Sequence, residues 1–134
     1  MTASIQPIRK LAKANTDFRR EVTTGRHAQV VVMCLLPGED IGEEVHAGTD
    51  QLFQVVKGHG EAVLEGVPQA LLKGALLFVP AGVRHNLRNT GGKRLRLVTI
   101  YSPPQHAAGT VHATRADAER AEKAGARRTR RAVR

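Results

Sequence analysis

The stretch GALLFVPAGVRHNLRN, residues 74–89, decides how this chain reads. An apolar run ends at Pro80, the chain turns through Ala81–Gly82, and His85 arrives at the start of the next segment. Proline fixes φ and gives up a ladder donor, while glycine permits positive φ, so the pair marks a sharp reversal between two strands. A histidine just past such a reversal has its ring held by the framework. Asn89 supports the turn by hydrogen bonding.

Working outward, the chain alternates short apolar runs with turns. The runs are AQVVVMCLL (28–36), QLFQVV (51–56), EAVLEG (61–66), QALLKGALLFVP (69–80) and RLRLVTIY (94–101). The breaks fall at PGED, KGHG, GVP, PAGVRH and NTGGK. This rhythm predicts an all-β sandwich or barrel, and the polar–apolar alternation that opens RLRLVTI predicts a strand with one wet face. One polar stretch, EEVHAGTDQ (43–51), stands directly ahead of an apolar run. Glu44 and His46, two apart, share a face if that segment is one extended strand. Gln51 opens the next strand in phase with Phe53 and Val55. Read alone, the stretch is either a metal site with unusual ligands or a polar turn leading into a strand.

Length and composition narrow the class. The 134 residues suit one domain with a real core. A single cysteine, Cys34, excludes an internal disulfide framework and fits a reducing cytoplasm; inside VVVMCLL it reads as a core residue. The N-terminal residues lack a signal-peptide pattern and no apolar run approaches about 18 residues, so the expectation is a soluble, cytoplasmic protein with no membrane partner. Net charge is +9. Residues 115–134 hold eight basic and three acidic residues, which leaves thirteen and nine for the rest, so more than half the excess sits in a short tail. With no Trp, one Tyr and three Phe there is little material for base stacking. No specific nucleic-acid partner is expected.

The expected layout is an N-terminal arm over 1–27, a barrel over 28–104 and a C-terminal segment over 105–134. In the last, TRADAERAEKAG reads as a helix with Thr114 as N-cap, Asp117 three residues on, a Glu119–Lys123 pair and Gly125 as the stop. ARRTRRAVR (126–134) reads as a disordered basic tail. His59, inside GHG, reads as a turn residue.

At this point the chain resembles the cupin superfamily. Gly74, Pro80, Gly82, His85 and Asn89 meet its second motif in full. Gly38, Glu44, His46, Gln51 and Gly58 meet the spacing of the first, with Glu44 in place of its first histidine and Gln51 in place of its glutamate. Flanking segments such as TGRHAQVVVM and IYSPPQHAAGTVH look like a subgroup of small single-domain cupins labelled mannose-6-phosphate isomerase-like. The resemblance implies a double-stranded β-helix, a jelly-roll barrel, holding one divalent ion in its mouth. Carried over by position, the ligands are Glu44, His46, Gln51 and His85, for Fe, Mn, Ni, Co or Zn. Two imidazoles and a carboxylate suit any of these, whereas the Gln51 amide oxygen is a weak ligand.

Three functions follow from the resemblance. The first is isomerase-like action on a sugar or sugar phosphate, with Glu44 and His106 as the catalytic candidates and His27, Gln29, Phe53, Arg84 and Tyr101 as substrate-pocket candidates. His106 reaches the site only if the segment after the last strand folds back across the mouth. Arg84 and Arg88, which flank His85, are the nearest cations for a phosphate. The second is a non-haem Fe(II) dioxygenase, favoured by the two-histidine, one-carboxylate set. The third is a non-catalytic cupin that binds a small molecule. A homodimer is expected from the need to cover a sheet edge.

Overall fold

A computed structural model describes residues 2–133, with side chains described as far as residue 126. Its elements are α1 (Ile8–Ala14), β1 (Arg19–Thr24), β2 (Gln29–Leu35), β3 (Asp50–Lys57), β4 (Gly60–Leu64), β5 (Val67–Leu71), β6 (Leu76–Val79), β7 (His85–Arg88), β8 (Leu95–Ser102), β9 (Val111–His112) and α2 (Arg115–Val133). The strands form a six-stranded sheet in the order β6-β3-β8-β2-β1-β9 and a three-stranded sheet in the order β5-β4-β7. Every strand pairing is antiparallel. The two sheets face each other as a double-stranded β-helix: the turn rhythm predicts its all-β class, and the cupin resemblance implies its jelly-roll form.

β2 explains its own composition. Val31, Met33 and Leu35 point between the sheets with Phe53, Leu87 and Leu97, while Val32 points outward under α1 with Ala12, Val56 and Val98. A strand covered on both faces has no wet positions, so QVVVMCL is almost continuously apolar. The register also sets a polar row. Gln29, Tyr101, Gln51 and Val79 lie side by side across β2, β8, β3 and β6, and all four are buried.

The two sheets are stitched at one end by isolated bridges, Asp40 to Arg88 and Glu44 to His85. Glu44 and His46 therefore lie outside any regular strand. Gly42, at φ +87°, breaks the run between the two bridges, which is why a single extended strand does not form there. The run QALLKGALLFVP is two strands, β5 and β6, divided at Gly74, where φ is +85°.

The N-terminal segment is more than an arm. It holds α1 and then β1, which pairs with β2 and β9 inside the larger sheet. RREVTT escapes a period-2 reading because its one fully buried side chain is Arg19, not an apolar residue. At the other end Thr114 and Asp117 form a reciprocal cap: Asp117 N–H donates to Thr114 Oγ1 at 3.1 Å, and Thr114 N–H to Asp117 Oδ2 at 3.2 Å. Glu119 pairs with Arg115. Helix α2 passes Gly125 and continues to Val133, so Gly125 is not the stop and the stretch read as a disordered tail is helical to that point. One interior glycine costs a helix only about 1 kcal/mol, less than its Ala, Glu, Lys and Arg neighbours restore. The side chains of residues 127–134 lie outside the described residues, as does the backbone of Arg134. Among the described residues no helix is long and apolar enough to cross a membrane.

Asn89 carries the corner beyond His85. Its Nδ2 donates to the Leu35 and Lys93 carbonyls at 2.9 and 2.8 Å, and its Oδ1 accepts from Gly91 N–H at 3.0 Å, all at 2% exposure. Asn89→Ala strands the buried Leu35 carbonyl and removes two part-buried bonds to Lys93 and Gly91, and is expected to lower unfolding stability by roughly 2 kcal/mol. Urea denaturation checks this, and a change below roughly 0.5 kcal/mol would show that the corner stands without the side chain.

Candidate metal centre

Three elements meet at the open end of the barrel. The Ala81–Gly82 reversal brings in His85, β3 brings Gln51, and the bridge segment brings Glu44 and His46. Backbone bonds lock the arrangement: Glu44 N–H donates to His85 O and His85 N–H to Glu44 O, each at 2.9 Å, and Gly82 N–H donates to His46 O at 2.8 Å. The ligand atoms of Glu44, His46 and His85 all lie within 4.8 Å of one another. Glu44 Oε2 is 3.0 Å from His46 Nε2 and 3.9 Å from His85 Nε2.

The hydrogen bonding of His85 says what this cluster accommodates. Its Nδ1 is 2.9 Å from the Val83 carbonyl, which can only accept, so Nδ1 carries the hydrogen and neutral His85 keeps its lone pair on Nε2. That nitrogen faces Gln51 Oε1 at 3.1 Å. Gln51 is held in this orientation because its Nε2 donates to Thr99 Oγ1 at 3.1 Å. His85 and Gln51 are each 1% exposed. With His85 neutral, lone pairs on His85, Gln51 and Glu44 converge at the edge of the buried layer, an arrangement relieved by a positive charge among them, either a divalent ion or a proton on His85 Nε2. Two imidazole nitrogens, a carboxylate and an amide oxygen fit a divalent transition metal.

A cavity of about 550 Å³ opens over this cluster, lined by Glu44, His46, Gln105, His106, His112 and Glu122 among others. His106 arrives on the strap that follows β8, and Gln29 holds it there. Gln29 Oε1 accepts from the Gln105 and His106 N–H groups at 3.2 and 3.0 Å, and its Nε2 donates to His106 O at 2.6 Å. Gln29 thus anchors the strap beneath the surface rather than lining the cavity. Tyr101 sits between the two histidines, its ring centroid 6.2 Å from His46 and 5.2 Å from His106. Phe53 lies below the floor, 6.1 Å from the His85 ring.

Other candidates fall elsewhere. His27 is exposed and offers only its carbonyl, which accepts from Ser102 Oγ. Arg84, 60% exposed, pairs with Glu43 on the outer surface, and Arg88 pairs with Glu61, so neither reaches the cavity. Both flank His85 in sequence, and alternation along β7 turns them away while His85 points in. Sequence reading missed Arg19 and Glu122 and left His112 without a role. Arg19 Nη1 is 3.2 Å from His112 Nδ1, across 93 residues of chain. One of two adjacent arginines in a polar strand, and two residues from a late short strand and helix, give no local signal.

Residues 31–101 match the family model for the Cupin domain, Cupin_2. The chain is a cupin. It is 40% identical over 121 residues to "Uncharacterized protein YrkC" of Bacillus subtilis (strain 168), covering 86% of this chain and 65% of YrkC. It is 34% identical to "Uncharacterized protein L612" of Acanthamoeba polyphaga mimivirus, covering 81% of this chain and 70% of that protein. The crystal structure of BH2720 from Bacillus halodurans superposes with a TM-score of 0.86 at 39% identity, covering 88% of this cupin and 94% of that chain.

Electrostatics set the proton inventory of the cupin's cavity. Burial, opposed by the Arg19 charge, pushes the Tyr101 phenol up to about 12, so it stays protonated and can donate. Burial, reinforced by Arg19, pulls His106 from its usual 6.5 down to about 4, so it is neutral at physiological pH, with Nε2 3.4 Å from the Tyr101 hydroxyl. Because the folded value lies below the unfolded one, the unfolded chain takes up a proton that the folded chain refuses between about pH 6.5 and 4. This contribution to stability is intact above that window and falls as acid passes through it, by on the order of 2 kcal/mol with partial exposure discounted. His106→Gln is expected to remove that part of the acid sensitivity. Urea unfolding at neutral and mildly acidic pH checks it; an unchanged pH slope in the variant would contradict the assignment.

Proposed function

We propose that this cupin binds one divalent transition-metal ion (Fe, Mn, Ni, Co or Zn) through Glu44, His46, Gln51 and His85, and isomerises a small polar substrate of the sugar or sugar-phosphate class. The convergence of lone pairs on His85 Nε2 carries the metal assignment. A bound ion would polarise a carbonyl and an adjacent hydroxyl and so acidify the α-hydrogen. Neutral His106, reaching the cavity from the strap, is the base that takes this proton and returns it to the former carbonyl carbon, with the Tyr101 hydroxyl beside its Nε2. Glu44, with Oε2 turned to the histidines, keeps Oε1 to take the hydroxyl proton and pass it to the carbonyl oxygen. The histidine, amide and carboxylate lining suits a hydroxylated substrate rather than a flat aromatic one.

Composition of the ligand trio supports a second reading, an Fe(II) dioxygenase, since two histidines and one carboxylate leave positions open. A third reading, ligand binding without turnover, shares the same pocket. Metal analysis of protein purified without chelators, followed by α-hydrogen exchange from sugars in D₂O, separates the three. The expected result is near-stoichiometric metal in the wild type, loss in His46→Ala and His85→Ala, and exchange slowed about 10²- to 10⁴-fold in His106→Ala with metal retained. Metal absent from all three proteins sinks the centre. Oxygen uptake in place of exchange selects the dioxygenase, and ligand-induced stabilisation alone selects the binding protein.

The same proposal places the cupin in a reducing cytoplasm, which suits its one cysteine, buried in β2, and makes it a homodimer. β6 is the outermost strand of the larger sheet, and Leu76 and Phe78 stand on it 64% and 52% exposed. A second copy covering this edge removes both an unpaired ladder and an apolar strip. Light scattering is expected to give twice the chain mass, falling to one in Phe78→Glu; a monomeric wild type would overturn the dimer.

A further inference from the structure

The cavity has a second polar wall, formed by His112 and Glu122 and backed by a buried cation. Arg19 projects inward from β1 and is 2% exposed. Its Cζ lies 5.4 Å from the Phe18 ring centroid, its Nη1 is 3.2 Å from His112 Nδ1, and its Nε is buried with no hydrogen-bond partner among the described residues. The carboxylate placed against it is Glu122, whose Oε1 stands 3.8 Å from Nη1 and whose side chain is 57% exposed on α2. A guanidinium keeps its charge at any working pH, and burying one without a close anion costs several kcal/mol. Among the described residues no carboxylate oxygen stands within hydrogen-bond distance of Arg19.

The neighbours of Arg19 aim that charge at the cavity. Arg19 can only donate, so His112 Nδ1 must accept, and neutral His112 then carries its hydrogen on Nε2 as a second donor. His112 and Glu122 both line the cavity, and the arginine stands directly behind them. The His46, Tyr101, His106 and His112 rings follow one another at centroid spacings of 6.2, 5.2 and 6.5 Å, joining the metal ligands to the arginine wall through the buried Tyr101. The other charge lining the cavity is Glu44, at the metal end.

We propose that Arg19 and His112 form an anion subsite, so that the substrate is a two-ended molecule with an oxyanion, carboxylate or phosphate, held at this wall, and that Glu122 is a built-in carboxylate which this anion displaces. The proposal rests on the reading of this cavity as the substrate site, and it gives a sugar phosphate or sugar acid the cation that Arg84 and Arg88 do not supply. Displacement is undemanding because a half-exposed glutamate at 3.8 Å loses little on swinging into water. The substrate's anion at normal hydrogen-bond length would complete the shell of Arg19.

Calorimetric titration with glycolate, inorganic phosphate and neutral ethylene glycol tests this, on wild type, Arg19→Met and Glu122→Gln, each with and without Zn²⁺. An anion is expected to bind the wild type, about threefold more tightly to Glu122→Gln and at least tenfold more weakly to Arg19→Met, with ethylene glycol unaffected. Preference for phosphate or glycolate identifies which oxyanion the wall takes. Zinc content should be the same in all three proteins, since neither substitution touches a ligand. Anion binding that survives Arg19→Met, or that Glu122→Gln fails to tighten, overturns the subsite. Should Arg19→Met not fold, the exposed Glu122→Gln substitution decides between these outcomes by itself. Arg19-dependent anion binding in protein that takes up no zinc would fault the metal centre and leave the subsite standing.

Discussion

Two backbone hydrogen bonds, Glu44 N–H to His85 O and His85 N–H to Glu44 O, hold this molecule's site together. They join the segment before β3 to the first residue of β7, and so tie the larger sheet to the smaller one at the open end. Each participant is also a candidate ligand. The bond that closes the barrel and the bond that sets the ligand spacing are therefore the same bond. A ladder contact is among the most directional devices a chain has, because both backbone groups must be satisfied when buried. Anchoring ligands to it lets the surrounding loops vary in sequence without moving the donor atoms.

The interior divides along its length for the same reason. Toward the closed end the facing strands meet with Leu35, Leu95, Leu97 and Val55, and packing needs no polar partner. Toward the mouth, the row changes to Gln29, Tyr101 and Gln51. The Gln29 amide is matched on the strap and on Thr24, whereas Gln51 donates to Thr99 and turns its oxygen toward His85 Nε2. Side chains held this way by buried neighbours make the row a positioning layer and not a softer core.

Legibility in the sequence followed locality. The reversal at Pro80–Gly82, the single histidine after it and the supporting Asn89 are read within sixteen residues, and their structure is where that reading puts them. β2, β3 and β8 are plain from composition. β1 is not, because a strand whose inward residue is an arginine has no period-2 signature. Arg84 and Arg88 look close to the site only when distance is counted along the chain; alternation along β7 sends them to the far side. Helix α2 is visible at its start, where the Thr114–Asp117 cap is a four-residue pattern, and obscure at its end, where a lone glycine is a weak stop.

By itself, then, the amino-acid sequence determined an all-β framework and the spacing of Glu44, His46, Gln51 and His85, because turn chemistry and strand periodicity are short-range properties of the chain; the jelly roll followed from the motifs' resemblance to cupins. Only the tertiary structure decided what else faces those residues. His106 and His112 come from the strap, Arg19 from a strand at the other end of the chain, and Glu122 from the helix that follows. No local rule relates positions 19, 106, 112 and 122. Their meeting is a product of sheet order and of the strap held by Gln29, which brings a buried charge and a cavity wall together across most of the chain's length.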